Sequence, residues 1–427
     1  MQPDKCIALI GTDMDHLSVN LAIHPAISAA NAVIGTPDVL KNLDPLDVRK
    51  ISVRTPIAEL LDEAAALLTE GNKVAVLTNG DPLFYSLGVS FLERFGPDKC
   101  AVYPCVTSLQ YAAAKFGIPW GGINAVSVHG RKGFLSLAHA VSLGGPVCLL
   151  TDKINSPDNA ARFLLQRGVT NYTIRVAARL GCEEETLWEG SLIDATGRKF
   201  SDPNLAFFLP DASLPGPHPL CSGQPESAYA HEGGCITKWP VRAAALAALR
   251  IEPHHVVWDL GSGSGSVAIE AAALAHRGHV LAVEHKDDRV RNIEENRRRF
   301  GAANLDILHA SVPDCLEKKF ALPKGTDICG DAIPPPDRIF IGGGLSRDAN
   351  KAERLIDLAW EHLRPGGRIV ASCVLVSDVH LAWKTLQKLN PDADMFLVQA
   401  SCSAPLGNDM HLQALNPVFC IAAQKSL

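Results

Sequence analysis

Two rhythms of apolar and polar positions alternate along this chain. Short runs rich in Val, Ile and Leu, such as VVWDL (Val256–Leu260), HVLAV (His279–Val283), Asp306–His309, Arg338–Ile341 and Arg368–Ser372, have the length and β-branching of buried strands. Between them, apolar residues recur at helical spacing over Ser266–Ala275, Asp287–Phe300, Ala349–His362 and Val379–Leu389. The first half shows the same alternation, with strands expected at Cys6–Ile10, Val74–Thr78, Ala125–Val128, Val147–Leu150 and Tyr172–Val176, and helices at Leu87–Phe95 and Ser108–Phe116. Strand-helix-strand order built twice predicts two α/β domains, with a mostly parallel sheet in the second. The halves do not look alike, and no short repeat runs through them.

The stretch from Leu209 to Gly234, LPDASLPGPHPLCSGQPESAYAHEGG, breaks both rhythms with Pro, Gly and Ser. It reads as a linker at 212–232, joining a first domain at 1–211 to a second at 233–427, each with its own core. A length of 427 residues is too great for one ordinary domain, which agrees. With 47% hydrophobic and 20% charged residues the chain is globular rather than disordered. A net charge of −6 offers no overall basic footprint for nucleic acid or an anionic membrane. No apolar run is long enough to span a bilayer, and the N-terminus lacks a signal pattern. The 12 cysteines are scattered without any C-x-x-C, so no metal site is expected and reduced thiols in the cytoplasm are the simplest reading.

The chemistry concentrates after Val256. Asp259 precedes a turn in which Gly261, Gly263 and Gly265 alternate with Ser262 and Ser264, and a small-residue helix follows. Glycines allow close backbone approach to a ligand. The register is G-x-G-x-G rather than the G-x-G-x-x-G of dinucleotide folds, and the acid two residues ahead would repel a pyrophosphate while suiting an ammonium or sulfonium. Glu284, at the end of the next strand, is placed to accept two ribose hydroxyls. Together these resemble the class I S-adenosylmethionine-dependent methyltransferases, a Rossmann-like fold. LRPGGRIV (Leu363–Val370) and IFIGGG (Ile339–Gly344) add to that likeness, the latter placing Gly342 and Gly343 beside a methyl acceptor.

In the first half, LTNGDPLFYSLG (Leu77–Gly88), YPCVTSLQYAAAKFGIPW (Tyr103–Trp120), VSVHGR (Val126–Arg131), LTDKINSP (Leu150–Pro157) and SDPNLAFFL (Ser201–Leu209) resemble, in this order, the cobalamin-pathway branch of the tetrapyrrole methylase family. After the linker, GGCITKWPVRAAALAAL (Gly233–Leu249) and LNPVF (Leu415–Phe419) resemble the pathway's C-15 methyltransferases. Both in one chain are similar to the family of fused, decarboxylating C-5 and C-15 methyltransferases of precorrins. The resemblance implies S-adenosyl-L-methionine as cofactor, a polycarboxylate tetrapyrrole as substrate, and a homo-oligomer. It implies cofactor contacts from Thr237, Asp259, Gly261–Gly265, Glu284, Ser311 and Val312 in the second domain, and from Gly80, Asp81, Phe84, Thr107 and Ser108 in the first. Lys238, Arg242, His129 and Arg131 are the cations expected to meet substrate carboxylates. The methylated carbon being the nucleophile, no catalytic side chain is assigned.

Three departures bear on the first domain and the adenine contact. LIGTDMDHLS (Leu9–Ser18) has one glycine where the family has several, Cys105 stands where a glycine is usual, and Ser311 replaces an acid. The insertion Leu322–Pro336 is longer than usual. A first domain that merely scaffolds one working methyltransferase is therefore a second reading; methylation of RNA is a third, which the acidic balance and 6% aromatics oppose, and a nicotinamide dehydrogenase a fourth, which the glycine register and Asp259 oppose.

Overall fold

In a computed structural model, the described residues are 5–13, 24–41, 43, 47–131, 133–317, 333–343, 345 and 348–427. Among these, the strands of the first half form two sheets. One joins β1 (Ile7–Thr12), β2 (Ala32–Gly35), β3 (Arg49–Ser52), β4 (Val74–Asn79) and β5 (Cys100–Tyr103) in the order β3-β2-β4-β1-β5, all parallel. The other joins β6 (Asn124–Ser127), β7 (Val147–Leu150), β8 (Tyr172–Ala178), β9 (Thr186–Ser191) and β10 (Asn204–Pro210) in the order β6-β7-β10-β8-β9. Only β6 and β7 are parallel there; β10 and β9 return antiparallel.

The second half carries a seven-stranded sheet of β11 (Val256–Leu260), β12 (His279–Glu284), β13 (Leu305–His309), β14 (Arg338–Ile341), β15 (Arg368–Cys373), β16 (Asp394–Val398) and β19 (Val418–Gln424), with β17 (Ser401–Leu406) and β18 (Asp409–Ala414) as a separate hairpin. Its order is β13-β12-β11-β14-β15-β19-β16, parallel except where β19 pairs with β15 and β16. The order reverses between β11 and β14, and a doubly wound sheet opens a crevice outside its strand ends at such a point. VVWDL is buried at all five positions, and the helix Ser266–Leu274 behind it is almost wholly buried, so strand and helix hold the intervening turn from both sides. Among the described residues no helix is long and apolar enough to cross a membrane.

The expected linker is not a free tether along its length. Gly223 and Gln224 donate backbone N–H groups to Glu270 at 3.0 and 3.1 Å, Ala230 N–H meets Asn296 at 2.7 Å, and His218 N–H meets the Arg299 carbonyl at 2.8 Å. The halves themselves meet through a buried polar cluster. Arg167 and Asp306 pair at 2.9 Å with both side chains fully buried, His279 Nε2 lies 2.7 Å from the other Asp306 oxygen, and His139 Nε2 lies 2.7 Å from the Gly278 carbonyl. Gly168 fits against the Arg298 carbonyl so closely that an added Cβ would lie 1.8 Å away. Ala303 of the second half packs into the core formed by the helices and strands around β6–β10. The expectation of two wholly separate cores is corrected to that extent: the halves share a charged seam whose Arg167–Asp306 pair is fully buried.

Candidate active site

The glycine turn after β11 holds its shape because each glycine has φ near +60 to +80°: Gly261 at 73°, Gly263 at 60° and Gly265 at 77°. They do different work. A Cβ on Gly261 would come 2.9 Å from the backbone of Gly343, so this glycine lets the loop after β14 close against the turn. A Cβ on Gly265 would strike Ile293 at 2.9 Å, so it seats the helix that follows β12. At Gly263 an added Cβ meets nothing within 4 Å, so its backbone fronts open space.

That space is a cavity of about 540 Å³ at the switch point. The turn residues Gly261, Ser262, Gly263 and Ser264 form its floor with Asp259, Gly342 and Gly343 closing one side. The strip Gly234–Lys238 forms another wall, and Ser372, Val374 and Ala414–Asn416 a third. Asp259 is only 1% exposed. Its Oδ2 accepts the Ser262 hydroxyl at 2.6 Å, while Oδ1 has no hydrogen-bond partner. Burial pushes its carboxyl up to about 7, with the nearby charge of Glu284 adding to the rise. A buried acid that titrates near neutrality and lacks a partner for one oxygen is electrostatically suited to a cation in the cavity.

The structure thus brings together Thr237, Lys238, Asp259, Gly261, Ser262, Gly263, Ser264, Gly342 and Gly343. Gly265 lies behind them as the helix cap. Glu284 also lies behind the wall. It is 2% exposed, and its carboxylate accepts the N–H groups of Gly263 at 2.9 Å, His285 at 2.9 Å and Lys286 at 3.0 Å, so it braces the turn from below. Ser311 and Val312 follow β13, two strands from the switch, and do not line the cavity. Gly344 and most of Leu322–Pro336 fall outside the described residues.

Arg242, expected to meet substrate carboxylates, does not. It is fully buried, and its Nε donates to Glu270 at 2.7 Å, its NH1 to the Thr237 carbonyl at 2.6 Å and its NH2 to the Gln224 carbonyl. Glu270 is fully buried as well, and takes the Tyr229 hydroxyl at 3.1 Å besides Gly223 and Gln224. The guanidinium is spent on holding the Thr237 strip against the helix Ser266–Leu274. Cys235, Ile236, Val241, Arg289, Phe340 and the stretch Ala414–Asn416 line the cavity without having been singled out as site residues. The quoted segments GGCITKWPVRAAALAAL, with Cys235, Ile236 and Val241, IFIGGG, with Phe340, and LNPVF, with Leu415 and Asn416, carried the signal that could have found most of them.

In the first half, the chosen residues gather at the C-terminal ends of parallel strands. Gly80 (φ 71°) and Asp81 follow β4; Asp81 accepts the N–H groups of Leu83 at 2.8 Å and Cys105 at 3.3 Å, tying the loops after β4 and β5 together. An added Cβ on Gly11 would sit 2.5 Å from that of Cys105, so the one glycine kept in the first loop is what accommodates the cysteine. The Cys105 thiol donates to Asp13 at 3.1 Å, and burial first, then Asp13, pushes it up to about 11, so it stays a neutral thiol. Residues 14–18 of the altered loop lie outside the described residues. Thr107 caps the helix Ser108–Phe116, accepting Gln110 N–H at 3.1 Å in a capping box, and Ser108 is its first residue. Phe84 packs edge-on to Tyr85 and onto the core beneath β7 and β10. His129 Nδ1 lies 3.2 Å from the Thr151 carbonyl, and Arg131 reaches Ser136 at 3.4 Å, both after β6.

Elsewhere, Glu252, His254 and His255 bring ligand-type atoms within 4.8 Å of one another. His255 Nδ1 accepts the Glu252 N–H at 2.8 Å, which leaves the proton of the neutral ring on Nε2 and takes that nitrogen out of service as a ligand.

Comparison with known proteins gives two matches in tandem. Residues 26–196 match the family model for tetrapyrrole (corrin/porphyrin) methylases, and residues 227–425 that for a precorrin methyltransferase domain. The chain is 30% identical over 306 residues to the precorrin-6Y C(5,15)-methyltransferase (decarboxylating) of Sinorhizobium sp, covering 71% of this chain and 69% of that one. It is 36% identical over 191 residues to the cobalt-precorrin-6B C(15)-methyltransferase (decarboxylating) of Salmonella typhimurium, covering 44% of this chain and 89% of that one. A crystal structure of a precorrin-6y C5,15-methyltransferase from Geobacter metallireducens aligns at 30% identity with a TM-score of 0.42, covering 49% of this chain and all of that one.

Proposed function

Since the chain belongs to the family of decarboxylating precorrin-6Y C(5,15)-methyltransferases, we propose that it methylates a precorrin at two carbons and removes one carboxyl as carbon dioxide, in cobalamin biosynthesis. Residues 1–211 are assigned methylation at C-5, and the second half methylation at C-15 with loss of the C-12 acetate carboxyl. The observation that carries this reading is the cavity over Gly263, floored by a glycine turn and flanked by a buried carboxylate with an unpartnered oxygen. Those features fit S-adenosyl-L-methionine: open backbone where a ligand would lie, and an acid for its positive charge. When bound, that cofactor supplies an electrophilic methyl group.

The chain's own residues then act by placement. Asp259 holds a positive charge at the floor, Gly261 and Gly263 let a ligand lie against backbone, and Glu284 fixes the turn from below. The half-buried Lys238, which lines the cavity, offers a partner for substrate carboxylates. The Thr237 strip, held by Arg242, narrows the mouth and limits water. Alignment and desolvation of this kind suffice where the substrate carbon is itself the nucleophile. In the first half, Gly80, Asp81, Thr107 and Ser108 border the second cofactor site, with His129 and Arg131 toward the substrate.

Self-association is proposed through the second half. Its edge strand β16 exposes Met395 and Leu397, the hairpin exposes Leu406, Met410 and Leu412, and the turn after β15 with the start of the helix Val376–Leu389 exposes Val374, Leu375 and Val376. Such a concentration of exposed apolar side chains on an edge strand and its neighbours suits a second copy of the chain. The described cysteines are all free thiols, which agrees with a reducing cytoplasm. Equilibrium dialysis with labelled S-adenosylmethionine tests the function: two sites per chain are expected, and none would refute it.

A further inference from the structure

Strand direction tells where the two catalytic edges point. In the second half, Gly261 and Glu284 lie at the C-terminal ends of β11 and β12, on the side of the cavity. Gly278, His279 and Asp306, which meet the first half, lie at the opposite ends of β12 and β13. Arg298, against which Gly168 packs, is in the last turn of the helix Asp287–Phe300 and so at that same far end. In the first half, His129, Arg131, Thr151 and Asp152 follow the C-terminal ends of β6 and β7, and are tied there by the Gly130 N–H to Asp152 bond of 2.8 Å. The seam is made instead by Arg167 and Gly168, which close the helix Pro157–Gln166, and by His139. Helix ends of that kind lead into the N-terminal ends of the next strands.

The halves are therefore docked back to back. The β6–β10 sheet of the first half and the sheet of the second half each present the N-terminal ends of their parallel strands to the seam and carry His129 and Arg131, or Gly261 and Gly263, at the other ends. On the two sides of that seam, β7 and β12 each run from the seam end towards their own catalytic side, about 13 and 20 Å of strand at about 3.3 Å per residue. The fully buried Arg167–Asp306 pair sits in the seam, and the cavity of about 730 Å³ beside it, between Gly168 and Tyr172 on one side and Arg298 and Arg299 on the other, is lined by none of the residues of either candidate site.

Resting on the two-site reading above, we infer that the singly methylated tetrapyrrole is not passed through the protein from one half to the other, but leaves the first mouth into solvent and is taken up at the second. The order of the two methylations does not alter this. Two full-length chains test it, one with Gly80→Val to fill the first site, the other with Gly263→Val to fill the second; Asp259→Asn serves as the second-site variant if Gly263→Val does not fold. Each alone is expected to stop short of the doubly methylated product. Mixed at equal concentration, they are expected to make that product with the same time course as wild type at the same concentration of each site, including the same lag and the same transient pool of intermediate. A wild type that forms doubly methylated product with no lag, while the mixture is delayed tenfold or more, overturns the inference and leaves the two-site reading intact. If Gly80→Val chains still add both methyl groups, it is the reading itself that fails.

Discussion

Replacing Arg242 with methionine separates two accounts of the same residue. The guanidinium is fully buried and joins three acceptors, Glu270 and the carbonyls of Thr237 and Gln224. Arg242→Met leaves the buried Glu270 carboxyl in an apolar helix layer with its backbone and Tyr229 donors but no countercharge. Removing one member of a buried pair costs about 3–5 kcal/mol, against a total stability of about 5–15 kcal/mol for a folded protein. In a unit of this size that is a loss of about 6–20 °C in melting temperature. Substituting both partners, Arg242→Met with Glu270→Met, removes the stranded charge, so the double variant should lose less than the sum of the singles. Urea denaturation of the full chain gives the cycle, and the cofactor KM reports the Thr237 strip, expected to rise while turnover at saturation changes little. Were Arg242 a solvent-facing substrate ligand, the stability loss would be under about 1 kcal/mol and only the tetrapyrrole KM would move; that result refutes the buried-anchor account.

Other outcomes follow from the same geometry. Asp259 is ordinarily an acid of about 4, and burial raises it to about 7 in the fold. Folding thus favours its protonated form: its contribution to stability is present below its unfolded value and is lost as pH rises through about 7. Cofactor affinity should run the other way, rising up to tenfold per pH unit below 7 and levelling above it, and Asp259→Asn should flatten that profile in titration calorimetry. Glu284→Ala removes the acceptor for three backbone N–H groups, so it should cost about 2 kcal/mol or more of stability as well as cofactor affinity; weakened binding with unchanged stability would mean that it does not brace the turn. Arg167→Met should split the calorimetric unfolding into two transitions by removing the first half's guanidinium from Asp306, which keeps only partners such as His279 within its own half; a single unshifted transition would show that the halves are not joined there.

Much of this site was legible in the residues, because a strand, a glycine turn and a helix are contiguous and their chemistry is local. The expected strands at Val256, His279, Arg338 and Arg368 all appear, and Asp259 and the glycines meet at one cavity. What was missed depends on contacts distant in sequence. AVIG (Ala32–Gly35) and CAVY (Cys100–Tyr103) are too short to stand out; the first becomes a strand because the parallel sheet buries it at every position, the second by pairing at the sheet's edge with β1. Arg242 looked like a free cation because its partner lies 28 residues on, in the middle of an apolar helix. Likewise, a Pro- and Gly-rich stretch reads as a tether until Glu270 is seen to take its backbone N–H groups. Glu284 fits the acid expected near the ribose, yet periodicity does not reveal that the turn itself already occupies its carboxylate.

The account stands on two working sites in one chain, and mass spectrometry of the tetrapyrrole product tests that most directly. Wild type should add two methyl groups and lose one carbon dioxide. Gly80→Val, which puts a branched side chain at a φ of 71° in the proposed first cofactor site, should add one methyl group and still lose carbon dioxide. A wild type that adds only one methyl group, with Gly80→Val indistinguishable from it, would contradict the account and leave the first half as a scaffold.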